Sequence, residues 1–209
     1  MVEFIMYTSN DRSDWVLPII KQQSPKMVSI IELGCNDGAT LHGIMNSKMF
    51  PLEKVHGVDY AENADKLIED DDFTVCDLNN DIDGIKKLIY NSDVILLLDV
   101  LEHLYSPEEF LLNLKKAKHT DSIVVISVPN HSSVRMLFAW LNNDFPRDDI
   151  GFFDQTHRVW FSLKSITDIA LNHYDIVDKG YIRSNKFWYK LTQLIYPSRF
   201  CSQLYVVIK

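Results

Sequence analysis

Ile31-Glu32-Leu33-Gly34-Cys35-Asn36-Asp37-Gly38-Ala39-Thr40 reads as a strand that runs into a turn and then into a helix. In open α/β sheets ligands bind beyond the carboxyl ends of the strands, where the winding order reverses, and the first strand normally flanks that crevice. Gly34 lets the backbone pass close to a ligand, and Gly38 lets the following helix start near it. A dinucleotide fingerprint requires G-x-G-x-x-G, but this loop has glycine only at positions 34 and 38, with Asn36 between them. Asn tolerates a left-handed backbone, so the turn still forms while leaving less room for a phosphate. The loop therefore suits a ligand without a phosphate.

Outward from this turn, short β-rich apolar runs alternate with helix-length segments, the pattern of a parallel sheet with crossover helices. The clearest strands are Val28 to Leu33, Val55 to Asp59, Asp93 to Asp99 and Ser122 to Val128, with a weaker one at Phe73 to Cys76. Their continuous apolarity predicts burial on both faces. Helices are expected over Thr40 to Met49, Ala61 to Glu69, Ile82 to Tyr90 and Pro107 to Lys118, the last opened by Ser106-Pro107-Glu108-Glu109. From about 130 to 162 the rhythm changes, and Trp140, Phe145, Phe152, Phe153 and Trp160 fall without strand periodicity, which reads as a lid over the sheet edge. A helix over Ser162 to Asn172 and strands at Asp175 to Tyr181 and Gln203 to Ile208 complete the chain. No repeat or linker divides it, so 1–209 is expected to be one doubly wound α/β domain.

Three acidic residues at strand ends extend the ligand argument. Asp59 can accept from both hydroxyls of a ribose, Asp77 can accept from an adenine amino group beside the backbone of Cys76 or Leu78, and Glu32 can pair with an ammonium. S-adenosylmethionine matches this set: a nucleoside joined through a sulfonium to an amino acid, whose carboxylate would face the helix N-terminus.

With these residues in place the chain resembles the class I S-adenosylmethionine-dependent methyltransferases, and among them the small-molecule group that includes the quinone-biosynthesis enzymes. The matching stretches are ELGCNDG at 32–38, GVD at 57–59, CD at 76–77, LLLDVLEHL at 96–104, VISVPN at 125–130 and DQTHRVWFS at 154–162. The family commonly has glycine where Asn36 stands. The resemblance implies a seven-stranded sheet whose last strand runs antiparallel between the fifth and sixth. The cofactor set is then Glu32, Gly34, Cys35, Asn36, Gly38, Asp59, Tyr60, Cys76, Asp77, Leu78, Asp99 and Val100.

Methyl transfer from a sulfonium is an in-line displacement that asks for alignment and desolvation, and for a base only where the acceptor must lose a proton. His103, after the fourth strand, is the first candidate base, with Glu102 orienting it or binding the acceptor; His157, in the lid, is the second, with Asp154 and Arg158 as expected neighbours. Both histidines also have structural readings, as a packed loop residue and as a hydrogen-bonded strut. No metal-ligating set is read from the sequence. Asn142, Asn143, Asp144, Arg147, Asp148 and Asp149 make the lid polar, which favours a polar acceptor, and the resemblance, through the PN...D-x-T-H...F-S pattern of the lid, implies a sugar-like one; methylation on a hydroxyl is the leading expectation. N- or C-methylation, a noncatalytic S-adenosylmethionine-binding partner subunit and, disfavoured by the missing glycines, a nicotinamide-dependent reductase are the competing readings. The basic and aromatic segment at about 183–201 is read as packing, acceptor wall or membrane-surface contact.

The formal net charge of -8 argues against capture of nucleic acid by the overall field. Cys35, Cys76 and Cys201 form no C-x-x-C pair, no run of 18 apolar residues occurs, and the first residues lack the basic start of a signal peptide. A cytoplasmic protein without a transmembrane segment is expected, and its oligomeric state is not legible.

Overall fold

A computed structural model describes residues 11–23, 28–61, 66–149, 151–183 and 194–209. In chain order its elements are α1 (Ser13–Gln23), β1 (Val28–Leu33), α2 (Ala39–Ser47), β2 (Leu52–Asp59), β3 (Phe73–Val75), α3 (Lys86–Tyr90), β4 (Val94–Leu98), α4 (Pro107–Ala117), β5 (Ile123–Pro129), α5 (Val134–Leu141), α6 (Leu163–Leu171), β6 (Ile176–Ile182) and β7 (Gln203–Ile208). The strands form one seven-stranded sheet in the order β3-β2-β1-β4-β5-β7-β6. β2 and β4 pair with β1 in parallel and β3 pairs with β2 in parallel, whereas β7 is antiparallel to both β5 and β6. The antiparallel last strand between the fifth and the sixth is the arrangement that the resemblance implied.

The described residues divide into two compact units, 1–96 with 117–122, and 97–116 with 123–209. In the first, β1 buries Val28, Ile30, Ile31 and Leu33, and the start of β4 buries Val94, Ile95 and Leu96. Each such side chain withdrawn from water contributes roughly 1.5–3 kcal/mol. α1, which the sequence reading did not foresee, buries Val16, Leu17, Ile19 and Ile20 along one face at helical spacing. Its start lies so close to α2 that a Cβ on Gly43 would stand 2.5 Å from the Ser13 hydroxyl and 2.7 Å from the Asp11 carboxylate.

In the second unit every residue of β5 is buried, and Leu204, Val206, Val207 and Ile208 of β7 are likewise buried. β6 lies at the edge of the sheet, where exposed and half-buried residues alternate. Asn130, at the end of β5 and fully buried, donates to the carbonyls of Ser198 and Cys201, which pins the helical turn Pro197–Phe200 ahead of β7. Ser162 caps α6: its hydroxyl accepts the Ser165 N–H while the Ser165 hydroxyl accepts the Ser162 N–H.

Several expectations are corrected. β2 starts three residues early, at Leu52, a start not legible in the sequence because Glu53 and Lys54 are exposed and break the apolar run. The segment Ile82 to Tyr90 is a 3₁₀ turn followed by the single α turn of α3, since Asp81 accepts the Gly84 N–H and tightens the entry. Of the helix expected over Ala61 to Glu69, residues 62–65 lie outside the described residues and 66–69 are not helical. The stretch 130–162, for which only the lack of strand periodicity was noted, contains the helix α5. Most of the basic and aromatic segment, 184–193, lies outside the described residues. Among the described residues no helix is long and apolar enough to cross a membrane, and Cys35, Cys76 and Cys201 are free and buried.

Candidate active site

The turn after β1 is built on an alternation of left-handed residues: Gly34 at φ 84°, Asn36 at φ 50° and Gly38 at φ 74°. Only Gly, and Asn or Asp at a modest cost, adopt this conformation readily, so the two glycines and Asn36 are what the backbone demands. The Val58 carbonyl at the end of β2 accepts from the Gly34 and Cys35 N–H groups at 2.7 and 3.1 Å. Gly38 also serves by its lack of a side chain, because a Cβ there would stand 3.0 Å from Ile68 Cγ1. Gly57 does the same inside β2, where a Cβ would meet Ile68 Cδ1 at 2.5 Å and Cys35 Sγ at 2.7 Å.

Asp59 joins the two strand ends. One carboxylate oxygen accepts the Asn36 N–H at 2.7 Å and the other accepts the Tyr60 N–H at 2.7 Å, while the Asp59 carbonyl accepts the Cys76 N–H at 2.8 Å. Glu32 and Asp59 are held in the parallel ladder of β1, β2 and β3, and these bonds tie Gly34, Cys35, Asn36, Tyr60 and Cys76 to its strand ends, with the Gly38 N–H on the Cys35 carbonyl. Each Asp59 oxygen has acceptor capacity beyond the one backbone bond it takes. Asp77 is exposed and occupied locally: it accepts from the Asn79 N–H at 2.9 Å and the Asn80 side-chain amide at 2.7 Å, which shapes the turn that carries Leu78.

Glu32 is buried at 3% exposure, and its Oε2 has no hydrogen-bond partner among the described residues. Burial pushes its carboxyl up to about 8, with Asp37 and Asp59 adding to the rise, against the pull of Arg12 and a hydrogen bond from Thr40. The Arg12 N–H in turn donates to the Thr40 hydroxyl at 3.2 Å. Arg12 was not singled out in the sequence, since nothing local connects the start of α1 to the end of β1. A buried carboxyl with one vacant oxygen suits a cationic ligand group. These features fit an amino-acid nucleoside such as S-adenosylmethionine.

In the second unit the turn after β4 begins with Asp99 at φ 58°. Its carboxylate accepts from the Ser127 hydroxyl at 3.1 Å and from the Gln203 amide at 2.7 Å, and its N–H donates to the Ser127 carbonyl at 3.0 Å. Val100 is buried, and its carbonyl accepts the His103 N–H at 3.0 Å. The next residues form a 3₁₀ turn, Leu101–His103, in which Glu102 is fully buried.

Segment 154–159 docks on that turn, because the Glu102 carbonyl accepts from the Arg158 and Val159 N–H groups at 2.7 and 3.1 Å. This brings together the two histidines expected from sequence: the His103 and His157 rings meet edge to face with centroids 4.8 Å apart, and His157 Nε2 lies 3.9 Å from Glu102 Oε1. His131, which the sequence reading missed, stands edge-on to His157 at 6.0 Å and stacks on Trp160 at 5.3 Å. Arg158, an expected neighbour of His157, instead lies over the Tyr105 ring at 4.2 Å, while the Asp154 carbonyl does accept the His157 N–H at 3.1 Å. Burial lowers the His157 pKa and brings that of His131 down to about 4, each helped by a neighbouring histidine, so both rings are neutral at pH 7.

The proton arrangement on His103 follows from its partners. Asp154 Oδ1 can only accept, and it takes both the Thr156 N–H at 2.7 Å and the Thr156 hydroxyl at 2.6 Å. With its proton given to Asp154, the Thr156 oxygen must accept from His103 Nδ1, 2.9 Å away. Nδ1 of His103 therefore carries the hydrogen, and Nε2 holds a lone pair. Thr156 sits inside the quoted DQTH stretch, so its presence was visible and its role was not.

A methyltransferase-domain family model (type 23) matches residues 7–173. A search of curated proteins gives no match. Among solved structures, the small RNA methyltransferase HEN1 superposes with a TM-score of 0.69 at 13% identity, over 100% of this chain and 26% of that one. An S-adenosylmethionine-dependent methyltransferase from Archaeoglobus fulgidus gives 0.58 at 19% identity, over 94% of each chain. The magnesium protoporphyrin IX methyltransferase of Synechocystis, solved with bound S-adenosylhomocysteine, gives 0.61 at 15%, over 94% of this chain and 80% of that one. With the family model spanning most of the chain, over the strand ends and the histidine cluster alike, the protein belongs to the methyltransferase-domain family and is an S-adenosylmethionine-dependent methyltransferase.

Proposed function

We propose that the protein methylates a hydroxyl of a small polar, sugar-like acceptor, with the β1 turn, Glu32 and Asp59 holding the cofactor and His103, assisted by His157, receiving the acceptor. Bound S-adenosylmethionine supplies an electrophilic methyl group, which passes to the acceptor oxygen as the carbon–sulfur bond breaks with its electron pair going to sulfur. The part of the chain is to grip, align and handle the proton. Asp59 presents its oxygens to the ribose from a position fixed by the Asn36 and Tyr60 N–H groups. Glu32 offers its vacant oxygen to the ammonium.

The observation that carries this reading is the chain Asp154–Thr156–His103, which sets the tautomer so that Nε2 is the basic atom. An alcohol that becomes an ether must lose its proton, whereas an amine that attacks through its own lone pair needs no base beforehand, so a fixed basic nitrogen favours a hydroxyl acceptor. A polar acceptor is supported by Asn142, Asn143, Asp144, Arg147, Asp148 and Asp149, all of which are exposed. The same basic nitrogen weighs against a noncatalytic partner subunit, which would have no use for it.

The test is turnover with methyl-labelled cofactor against a panel of sugars, phenols and amines. His103→Ala is expected to lower turnover about 10²- to 10⁴-fold while S-adenosylhomocysteine affinity stays within about twofold. Unchanged turnover in His103→Ala would refute the assignment, and label appearing only on amines would refute the hydroxyl.

A further inference from the structure

Glu102, His103 and His157 each present one ligand atom, and these atoms all lie within 4.8 Å of one another. They come from the turn after β4 and from segment 154–159, which the two backbone bonds to the Glu102 carbonyl clamp together. The Glu102 side chain is fully buried and that of His157 is 5% exposed. Since Nδ1 of His103 is engaged with Thr156, the ligand atom that His103 has to offer is Nε2.

We propose that Glu102, His103 and His157 hold a divalent cation of the first transition series at the place where the acceptor is received. Two atoms bonded to a common ion at about 2.0–2.2 Å lie no more than about 4.4 Å apart. The cluster therefore needs a closure of only a few tenths of an ångström, within the reach of side-chain torsions. Two imidazoles and a carboxylate suit Mn²⁺, Fe²⁺ or Zn²⁺ better than Ca²⁺ or Mg²⁺, which ask for oxygen, and three protein ligands leave positions open for water or a hydroxyl.

The surroundings of His103 are those of a ligand histidine. Such a ring normally gives its other N–H to a carboxylate or another fixed acceptor, which holds its orientation and raises its basicity. Here the acceptor is Thr156, itself donating to Asp154. Nearby cationic charge is drawn off, since the Arg158 guanidinium lies over Tyr105. This inference rests on the acceptor reading above and changes one role in it: a cation on His103 Nε2 takes up the lone pair that would otherwise receive the proton. With Nε2 on the cation, the cation acidifies the bound hydroxyl and the proton leaves to water.

The experiment titrates the chelator-stripped full chain with MnCl₂, following the electron paramagnetic resonance signal of the free ion and the melting temperature. Wild type is expected to suppress the free-ion signal up to one equivalent and to melt higher when loaded. Glu102→Gln and His157→Asn should lose this uptake, and Thr156→Val, which touches no ion, should weaken it by about 10- to 100-fold. A full free-ion signal from the first addition to wild type overturns the cation site, as does uptake unchanged in both ligand variants. If wild type takes up no Mn²⁺ while His103→Ala still loses turnover, the cation inference falls and the acceptor reading stands with His103 as proton acceptor. If Mn²⁺ is taken up through these residues while His103→Ala turns over normally, the cation site stands and the acceptor reading falls.

Discussion

At the end of β1 the chain turns through Asn36 at φ 50°, and at the end of β4 it turns through Asp99 at φ 58°. Both use a short polar residue to enter left-handed backbone, the least costly choice after glycine. The first turn is flanked by two glycines, and its side-chain contacts come from Asp59 at a neighbouring strand end and from its own Asp37, which accepts the Ala39 N–H. The second turn has no glycine beside it and directs its own carboxylate into the sheet, onto Ser127 and Gln203. On the proposed reading the first strand end receives the cofactor. The second bonds β5 and β7 through Asp99, and the proposed acceptor chemistry falls to Glu102 and His103 after it.

Substitution of the two aspartates tests this contrast most directly. Asp59→Ala removes the acceptor for two backbone N–H groups and the proposed partner of the ribose; two charge-assisted hydrogen bonds at about 1.5 kcal/mol or more each imply at least about a 100-fold loss of S-adenosylhomocysteine affinity by calorimetric titration. Retained affinity would show that the first turn is a strut like the second.

Glu32 provides a pH signature for the ligand-receiving side. Its carboxyl is raised from 4.5 to about 8, so between those values the folded protein keeps a proton that the unfolded chain releases. Its contribution to stability is therefore complete below pH 4.5 and falls as pH rises toward about 8, by up to about 1.4 kcal/mol per pH unit. Denaturation at several pH values should show this decline in wild type and its disappearance in Glu32→Gln. Binding a ligand ammonium favours the ionised form, so titrations in buffers of different ionisation enthalpy should reveal proton release on binding at pH 7 in wild type and none in Glu32→Gln.

Asp99→Asn should behave in the opposite sense to Asp59→Ala. It keeps the left-handed turn but places an amide donor against donors, which should cost about 1–2 kcal/mol in denaturant unfolding with S-adenosylhomocysteine affinity held within about threefold. A large loss of affinity would return Asp99 to the direct cofactor contact that its position after the fourth strand suggests. The smallest effect is expected at Ser162→Ala, which opens the reciprocal cap of α6 and should lower stability by about 1 kcal/mol without touching cofactor binding.

The legible parts of the molecule are those whose determinants are close in sequence. The β1 turn declares itself through Gly34, Asn36 and Gly38, and the buried strands through unbroken apolar runs such as Val94 to Leu98. α1 escaped notice because its apolar face is short and interrupted by Pro18, and α5 because it spans only eight residues. The histidine cluster was half legible. His103 and His157 were each plausible alone, but their meeting depends on backbone bonds from 158 and 159 to Glu102, more than 50 residues away.

By itself the sequence determined the alternation of strands and helices, the glycine-poor turn that disfavours phosphate, and the acidic residue closing β2, because each follows from local sterics and from periodic burial. Only the tertiary structure decided that Asp99 serves the sheet, that Arg12 stands by Glu32, that His131 joins the other two rings, and that Thr156 sets which nitrogen of His103 is basic. Those outcomes depend on which distant side chains meet, and a hydrogen-bond network assigns its protons only when all its members are in place.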